Sequence, residues 1–130
     1  MVYYDRKTYE EHRDVWLWLA SKLVNIFTFR RRKLATIDHV AIQVDDIAAA
    51  VAWYTANWEC DVEWADETWA MLKFKNTRLA LVLPDKHPPH FAFLDNCPEK
   101  AGAPTVHRDG TSSVYTKDPW GNNLELLKRP

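Results

Sequence analysis

Residues 37–44, Ile-Asp-His-Val-Ala-Ile-Gln-Val, alternate between two sets of side chains. Side chains on a strand point to opposite faces with period two. Val40, Ile42 and Val44, joined by Ile37, form an apolar set fit to pack under a helix. His39, Ala41 and Gln43 share the opposite face. Asp45-Asp46 follows as an N-cap, and residues 47–58 change period, with Ile47, Val51, Tyr54 and Trp58 at helical spacing. Three short strand patterns come next, at 60–65, 68–74 and 78–83, with Asp66-Glu67 and Asn76 at the turns. The first half therefore reads β-α-β-β-β.

The second half repeats this order in shorter form. Residues 84–89 break the chain with prolines, and 90–94, His-Phe-Ala-Phe-Leu, alternate like the opening strand. Residues 95–104 are too short and too rich in Pro and Gly for a full helix. Strands are predicted at 105–108, 112–117 and 123–128, with Asp118-Pro-Trp-Gly121 as a turn. Residues 79–81 and 124–126 align as the fourth strands of the two units.

Residues 1–35 stand apart as an N-terminal extension, before a domain at 36–130. The run 15–29 has a narrow polar stripe of Ser21, Lys22, Asn25 and Thr28 and a wide apolar arc. Residues 30–33 are Arg-Arg-Arg-Lys. Membrane-surface association of residues 15–33 is one reading of this pattern. Docking of the helix on its own sheet or on a second subunit is favoured, because broad apolar patches usually mark protein interfaces.

Composition narrows the picture. With 130 residues there is room for one domain, and 47% apolar and 27% charged residues are ordinary for a globular chain. A net charge of −1 gives no field for nucleic acid. Seven tryptophans suggest an interface or pocket beyond the core. Two cysteines and an acidic N-terminus predict a cytoplasmic protein with reduced thiols.

The segments Asp-His-Val-Ala-Ile-Gln-Val-Asp-Asp from Asp38, Trp53-Tyr54, His90-Phe-Ala-Phe and Tyr115-Thr-Lys-Asp-Pro-Trp-Gly-Asn-Asn-Leu-Glu-Leu together resemble the vicinal oxygen chelate superfamily. That group includes glyoxalase I, fosfomycin-resistance enzymes, methylmalonyl-CoA epimerases, extradiol dioxygenases and bleomycin-resistance proteins. The resemblance covers about residues 36–128, and the Asp118–Leu126 segment is its most specific part. It implies an α+β fold of paired βαβββ units forming a cupped mixed sheet, here with an abbreviated second unit and an added N-terminal helix.

Carried over by position, the resemblance implies metal ligands at His39, His90 and Glu125. The fourth place falls on Ala80, which cannot ligate, so the set departs from glyoxalase I. Two histidines and one carboxylate suit one divalent ion such as Fe, Mn, Ni or Zn, with coordination places left for substrate. The implied function is metal-dependent lyase, isomerase or dioxygenase chemistry on a small substrate that chelates through oxygens. Tyr115 takes the place of a substrate-contacting tyrosine, assigned here as catalytic, and Gln43, His107, Lys117 and Trp69 are further candidates for substrate binding. The alternative is a metal-free binding protein of the bleomycin-resistance type, with Trp53, Trp64 or Trp69 lining a stacking cleft. A homodimer is expected from the shortened second unit and the apolar N-terminal run.

Overall fold

A computed structural model describes residues 10, 11, 13–15, 17 and 33–130. Most of the N-terminal extension, including most of the helix expected at 15–29 and its basic end, lies outside the described residues. Among those described, no helix is long and apolar enough to cross a membrane.

The first unit consists of β1 (Ile37–Gln43), α1 (Ile47–Asn57), β2 (Asp61–Ala65), β3 (Trp69–Lys73) and β4 (Arg78–Val82). The second consists of β5 (His90–Leu94), β6 (Thr105–Val106), β7 (Ser112–Lys117) and β8 (Asn123–Lys128). All eight strands join one curled sheet in the order β2-β3-β4-β1-β5-β8-β7-β6. Each unit pairs its first and fourth strands in parallel, and β1 meets β5 antiparallel at the seam. This is the paired, cupped α+β architecture expected from the sequence.

The α1 helix begins where Asp46 accepts a 3.0 Å hydrogen bond from the Ala49 N–H. That bond satisfies one of the free donors at the helix start. The helix covers the convex face of the first unit. Ile47, Ala70, Leu72 and Leu81 are buried there, with Ile42, Val44, Val51 and Tyr54 packed around them. Trp58 differs from expectation. It follows the last helical turn in extended backbone and is exposed, stacking edge-on with Trp53 instead of entering the core.

In the second unit a single 3-10 turn, Pro98–Lys100, stands where the first unit has α1. Its reach is short, so Phe91 on the convex side of β5 stays half exposed. The β6 strand is also shorter than predicted, because the chain turns back at residues 107–111.

Two turns fix the geometry of the cup. In the first, Asp118 accepts backbone N–H bonds from Trp120 and Asn122 and a side-chain bond from Asn122. Gly121 takes φ +87 there, a conformation that disfavours any Cβ. The turn sets a register in which Tyr115 lies directly opposite Glu125. In the second, Asp66 accepts the Thr68 and Trp69 N–H groups, the Thr68 hydroxyl and the Trp64 indole N–H. Arg108 from the second unit adds an ion pair at 2.9 Å.

Burial alone would raise the Asp66 pKa, but the donors from Thr68, Trp69 and Trp64 outweigh it and hold it at about 2. An unfolded aspartate titrates near ~3.9. The depressed value means that Asp66 stabilises the fold above about pH 4, and that this contribution is lost as pH falls through about 2. Its size is about 1 kcal/mol after allowing for solvent screening. Asp66→Asn should therefore lower the melting temperature at pH 7 while leaving it nearly unchanged at pH 2. A deficit of equal size at both pH values would show that the carboxylate charge is not the cause.

Candidate metal centre

The site is built across the seam. His39 on β1 pairs with Ala92 on β5, and Ala92 pairs with Glu125 on β8. Paired residues share a sheet face, so His39 and Glu125 rise on either side of a methyl group. Ala92 is fully buried between them and leaves the space in which they meet. His90 stands two residues along β5 on the same face and pairs with Ala41.

The resulting cluster is compact. His39 Nε2 lies 3.1 Å from Glu125 Oε2, His90 Nε2 lies 3.0 Å from the same oxygen, and the two imidazole nitrogens are 3.2 Å apart. All three residues are buried. Metal bonds of about 2.1 Å at roughly right or tetrahedral angles place neighbouring ligand atoms about 3.0–3.4 Å apart. The spacing and the donor types therefore fit a divalent cation. Among the described residues this is the group of histidine, cysteine or acidic side chains that converges in that way.

Charge within the cluster is arranged in layers. Burial would push His39 down, but the carboxylates of Asp38 and Glu125 outweigh it and raise its pKa. Burial would push Glu125 up, but bonds from His39 and His90 hold it well below the usual carboxylate range. A proton shared among the imidazoles and Glu125 would satisfy these contacts, and among the described residues no buried side-chain polar atom lacks a partner. A cation binding here would take the place of that proton.

A cavity of about 50 Å3 opens above His39, His90 and Glu125. Trp69, Met71, Ala80 and Val82 make one wall, and His87, His107, Asp109, Thr111 and Tyr115 contribute to the other. Ala80 is paired with Ala41 on one side and Met71 on the other, so the place where the resemblance implies a fourth ligand carries only a methyl group. His107 sits beside Glu125, 3.6 Å from Oε1, and its Nε2 is 2.7 Å from the Ser113 hydroxyl. The Tyr115 ring meets His90 edge-on at 5.1 Å, and its hydroxyl is 3.5 Å from His87 Nδ1. Burial raises the Tyr115 pKa, and the charge of Glu125 raises it further, so the phenol keeps its proton at neutral pH.

Of the residues singled out from sequence, His39, His90, Glu125, Tyr115, His107 and Trp69 line this cavity. Gln43 and Lys117 do not. Gln43 instead donates to the His87 carbonyl at 3.0 Å and braces the loop above the site. Trp69 stacks on Trp64 at 5.6 Å, whereas Trp53 lies on α1, packs against Trp58 just beyond it, and takes no part in the cup. The sequence reading missed Asp38 and Arg129. Asp38 accepts from His39 Nδ1 at 2.8 Å, and Arg129 grips Asp38 through two bonds. Asp109 and Thr111 were also missed. They reach the cavity at the tight turn after β6, signalled in the sequence by Asp109-Gly110, with Gly110 at φ +86 and Asp109 accepting from the Thr111 N–H.

The sequence matches no protein-family profile and no curated protein. The fold does have solved counterparts. A hypothetical protein, BH1468 from Bacillus halodurans C-125, superposes with TM-score 0.64 at 14% identity, over 75% of this chain and 96% of that one. Methylmalonyl-CoA epimerase from Streptomyces coelicolor, in complex with 2-nitronate-propionyl-CoA, gives 0.61 at 21% identity, over 74% and 98%. A structure named as an NAD-dependent benzaldehyde dehydrogenase from Legionella pneumophila gives 0.55 at 18%, over 71% and 98%. Names so different on one architecture show that the likeness is one of fold, and that the reaction must be argued from the site.

Proposed function

Proceeding from a chain with the vicinal oxygen chelate, or glyoxalase-like, fold, we propose that it is a small metal-dependent enzyme acting on a compact substrate with adjacent oxygens. The observation that carries this reading is the mutual spacing of His39 Nε2, His90 Nε2 and Glu125 Oε2, each 3.0–3.2 Å from the others. These three atoms would hold the cation, in a 2-His-1-carboxylate set suited to Fe, Mn, Ni or Zn. When bound, the metal supplies Lewis acidity and a template for two neighbouring substrate oxygens. Lyase, isomerase and dioxygenase chemistry all use that service, and the proposal extends to the class.

The chain's own groups do the remaining work. Tyr115, protonated at neutral pH, donates a hydrogen bond to a substrate oxygen at the rim of the cup. His107, steadied by Ser113, faces the ligand end of the cavity and is placed to hold or pass a proton. Trp69, Met71 and Val82 exclude water from the opposite side and receive the apolar part of the substrate. Ala80 leaves room where a fourth ligand would otherwise stand.

The test is metal content. Protein stripped with a chelator and then offered Fe(II), Mn(II), Ni(II) and Zn(II) separately should retain about one equivalent of at least one of them by elemental analysis. No retention of any of the four overturns the proposal. Tight binding of a flat organic ligand to the stripped protein would then favour a metal-free binding function, with Trp69 and Trp64 as the stacking surface.

A further inference from the structure

Strict alternation along β1 would turn Asp38 to the face opposite His39. The pairing of β1 with β5 prevents this. Ile37 is opposite Phe93 and His39 is opposite Ala92, so two steps on β1 match one step on β5. Asp38 is the extra residue of a β-bulge, and bulges re-aim side chains. Its carboxylate is almost fully buried and lies against the back of the His39 ring, with Oδ2 accepting from Nδ1 at 2.8 Å.

The carboxylate is held from its other side. Arg129, just beyond β8, donates from Nε to Oδ1 at 2.6 Å and from Nη2 to Oδ2 at 2.8 Å. This is the two-pronged arrangement in which a guanidinium fixes a carboxylate in orientation as well as in charge. Arg78, opposite His39 on β4, approaches Oδ1 at 3.5 Å and is itself tied to Glu63. The other imidazole ligand is braced differently. His90 Nδ1 meets the Pro88 carbonyl at 2.8 Å, a neutral acceptor.

We propose that Asp38, clamped by Arg129, is a positioning residue that fixes the proton of His39 on Nδ1 and so presents Nε2 to the metal. This rests on the metal reading above. A carboxylate can only accept, so His39 must donate to Asp38 from Nδ1, and once a cation replaces the proton that Nε2 shares with His90 and Glu125, the electron pair of Nε2 is free to face it. Outer-shell acceptors of this kind orient the ring and strengthen it as a ligand, and their loss typically weakens metal binding about 10–100-fold. Asp38 does not touch the substrate cavity. Its effect is confined to the direction and basicity of His39.

The experiment compares wild type, Asp38→Asn, Arg129→Gln and Arg129→Lys, each first checked for folding by circular dichroism. Zinc affinity is measured by competition with a chromophoric chelator, and the ring N–H protons of the zinc-loaded proteins are followed by NMR. Wild type should show a downfield, slowly exchanging His39 Nδ1–H. Asp38→Asn should bind zinc roughly 10–100-fold more weakly and shift or broaden that resonance. Arg129→Gln keeps every ligand and Asp38 itself, so it carries the test if Asp38→Asn fails to fold. It should weaken binding severalfold and broaden the same proton, with Arg129→Lys partway between it and wild type. Zinc affinity within twofold of wild type and an unchanged Nδ1–H in the folded variants would overturn the role of Asp38 while leaving the metal site standing. A wild type that takes up no zinc or any other divalent ion would sink the metal reading first, and this inference with it.

Discussion

Glu125→Ala should lower metal affinity more than ~100-fold, because changing a group behind a ligand already costs about 10–100-fold. His39→Ala should do the same. Glu125 bears the larger share of the prediction because both imidazole nitrogens converge on one of its oxygens. The variants should remain folded, since Leu72 and Leu81 of the core pack beneath α1 on the other side of the sheet. Chelator competition checks the affinity, and a melt of the metal-free proteins checks the fold. A Glu125→Ala protein that binds metal as tightly as wild type would remove that carboxylate from the ligand set.

The same cluster fixes the sign of the pH response. The folded pKa of His39 is raised above its unfolded value. In metal-free protein its charged form therefore contributes stability that is fully present below the ordinary imidazole range near ~6.5 and is lost as pH rises through the raised value. Metal competes for that proton, so metal affinity moves the other way and strengthens as pH rises. Proton release on loading, followed with an indicator dye in weak buffer, reads this directly.

The second large effect is on stability. Leu81 is fully buried between β3 and β1, beneath α1, in contact with the cluster of Ile47, Ala70 and Leu72. Leu81→Ala removes three heavy atoms from a site walled by strands on both sides, which cannot readily collapse. The expected cost is about 3 kcal/mol, or roughly 10 °C in melting temperature. Ala80 and Val82, its neighbours along β4, face the cup, so metal affinity in the folded variant should change little. A melt displaced by less than about 2 °C would mean that the convex face is not packed as described.

What could be read from the sequence was whatever obeyed simple periods. The strand at 90–94, which alternates like the opening strand, and those predicted at 112–117 and 123–128 form with the expected bounds. Grouping His39, His90 and Glu125 rested on the family resemblance, and strand parity agreed with it by keeping His39 and Glu125 apart from the neighbouring apolar side chains. Asp38 was hidden for the opposite reason. It sits where parity fails, and a bulge of one residue leaves no mark in a single strand's pattern. Arg129 was hidden because nothing in its local sequence shows that the chain beyond β8 returns to the start of β1. Trp58 misled because helical spacing was extended one residue past Asn57, into backbone that is already extended. Gln43 and Lys117 share the parity of site residues but lie at the far end of their strands, where the cup has opened to solvent.

The two halves of the sheet repeat one another in backbone, yet the walls they give the cavity are opposites. Around the floor, the first half contributes Trp69, Met71, Ala80 and Val82, and the second contributes His107, Asp109, Thr111, Tyr115 and Arg129, with Leu127 as its one apolar member. Under the proposed function, a molecule anchored at the floor by two points would have its remaining substituents sorted between a mainly oily side and a mainly hydrogen-bonding side. Its mirror image, anchored at the same two points, would carry those substituents to the wrong sides. The broken likeness between the two units thus gives the cup a handedness that a truly symmetric pair would lack.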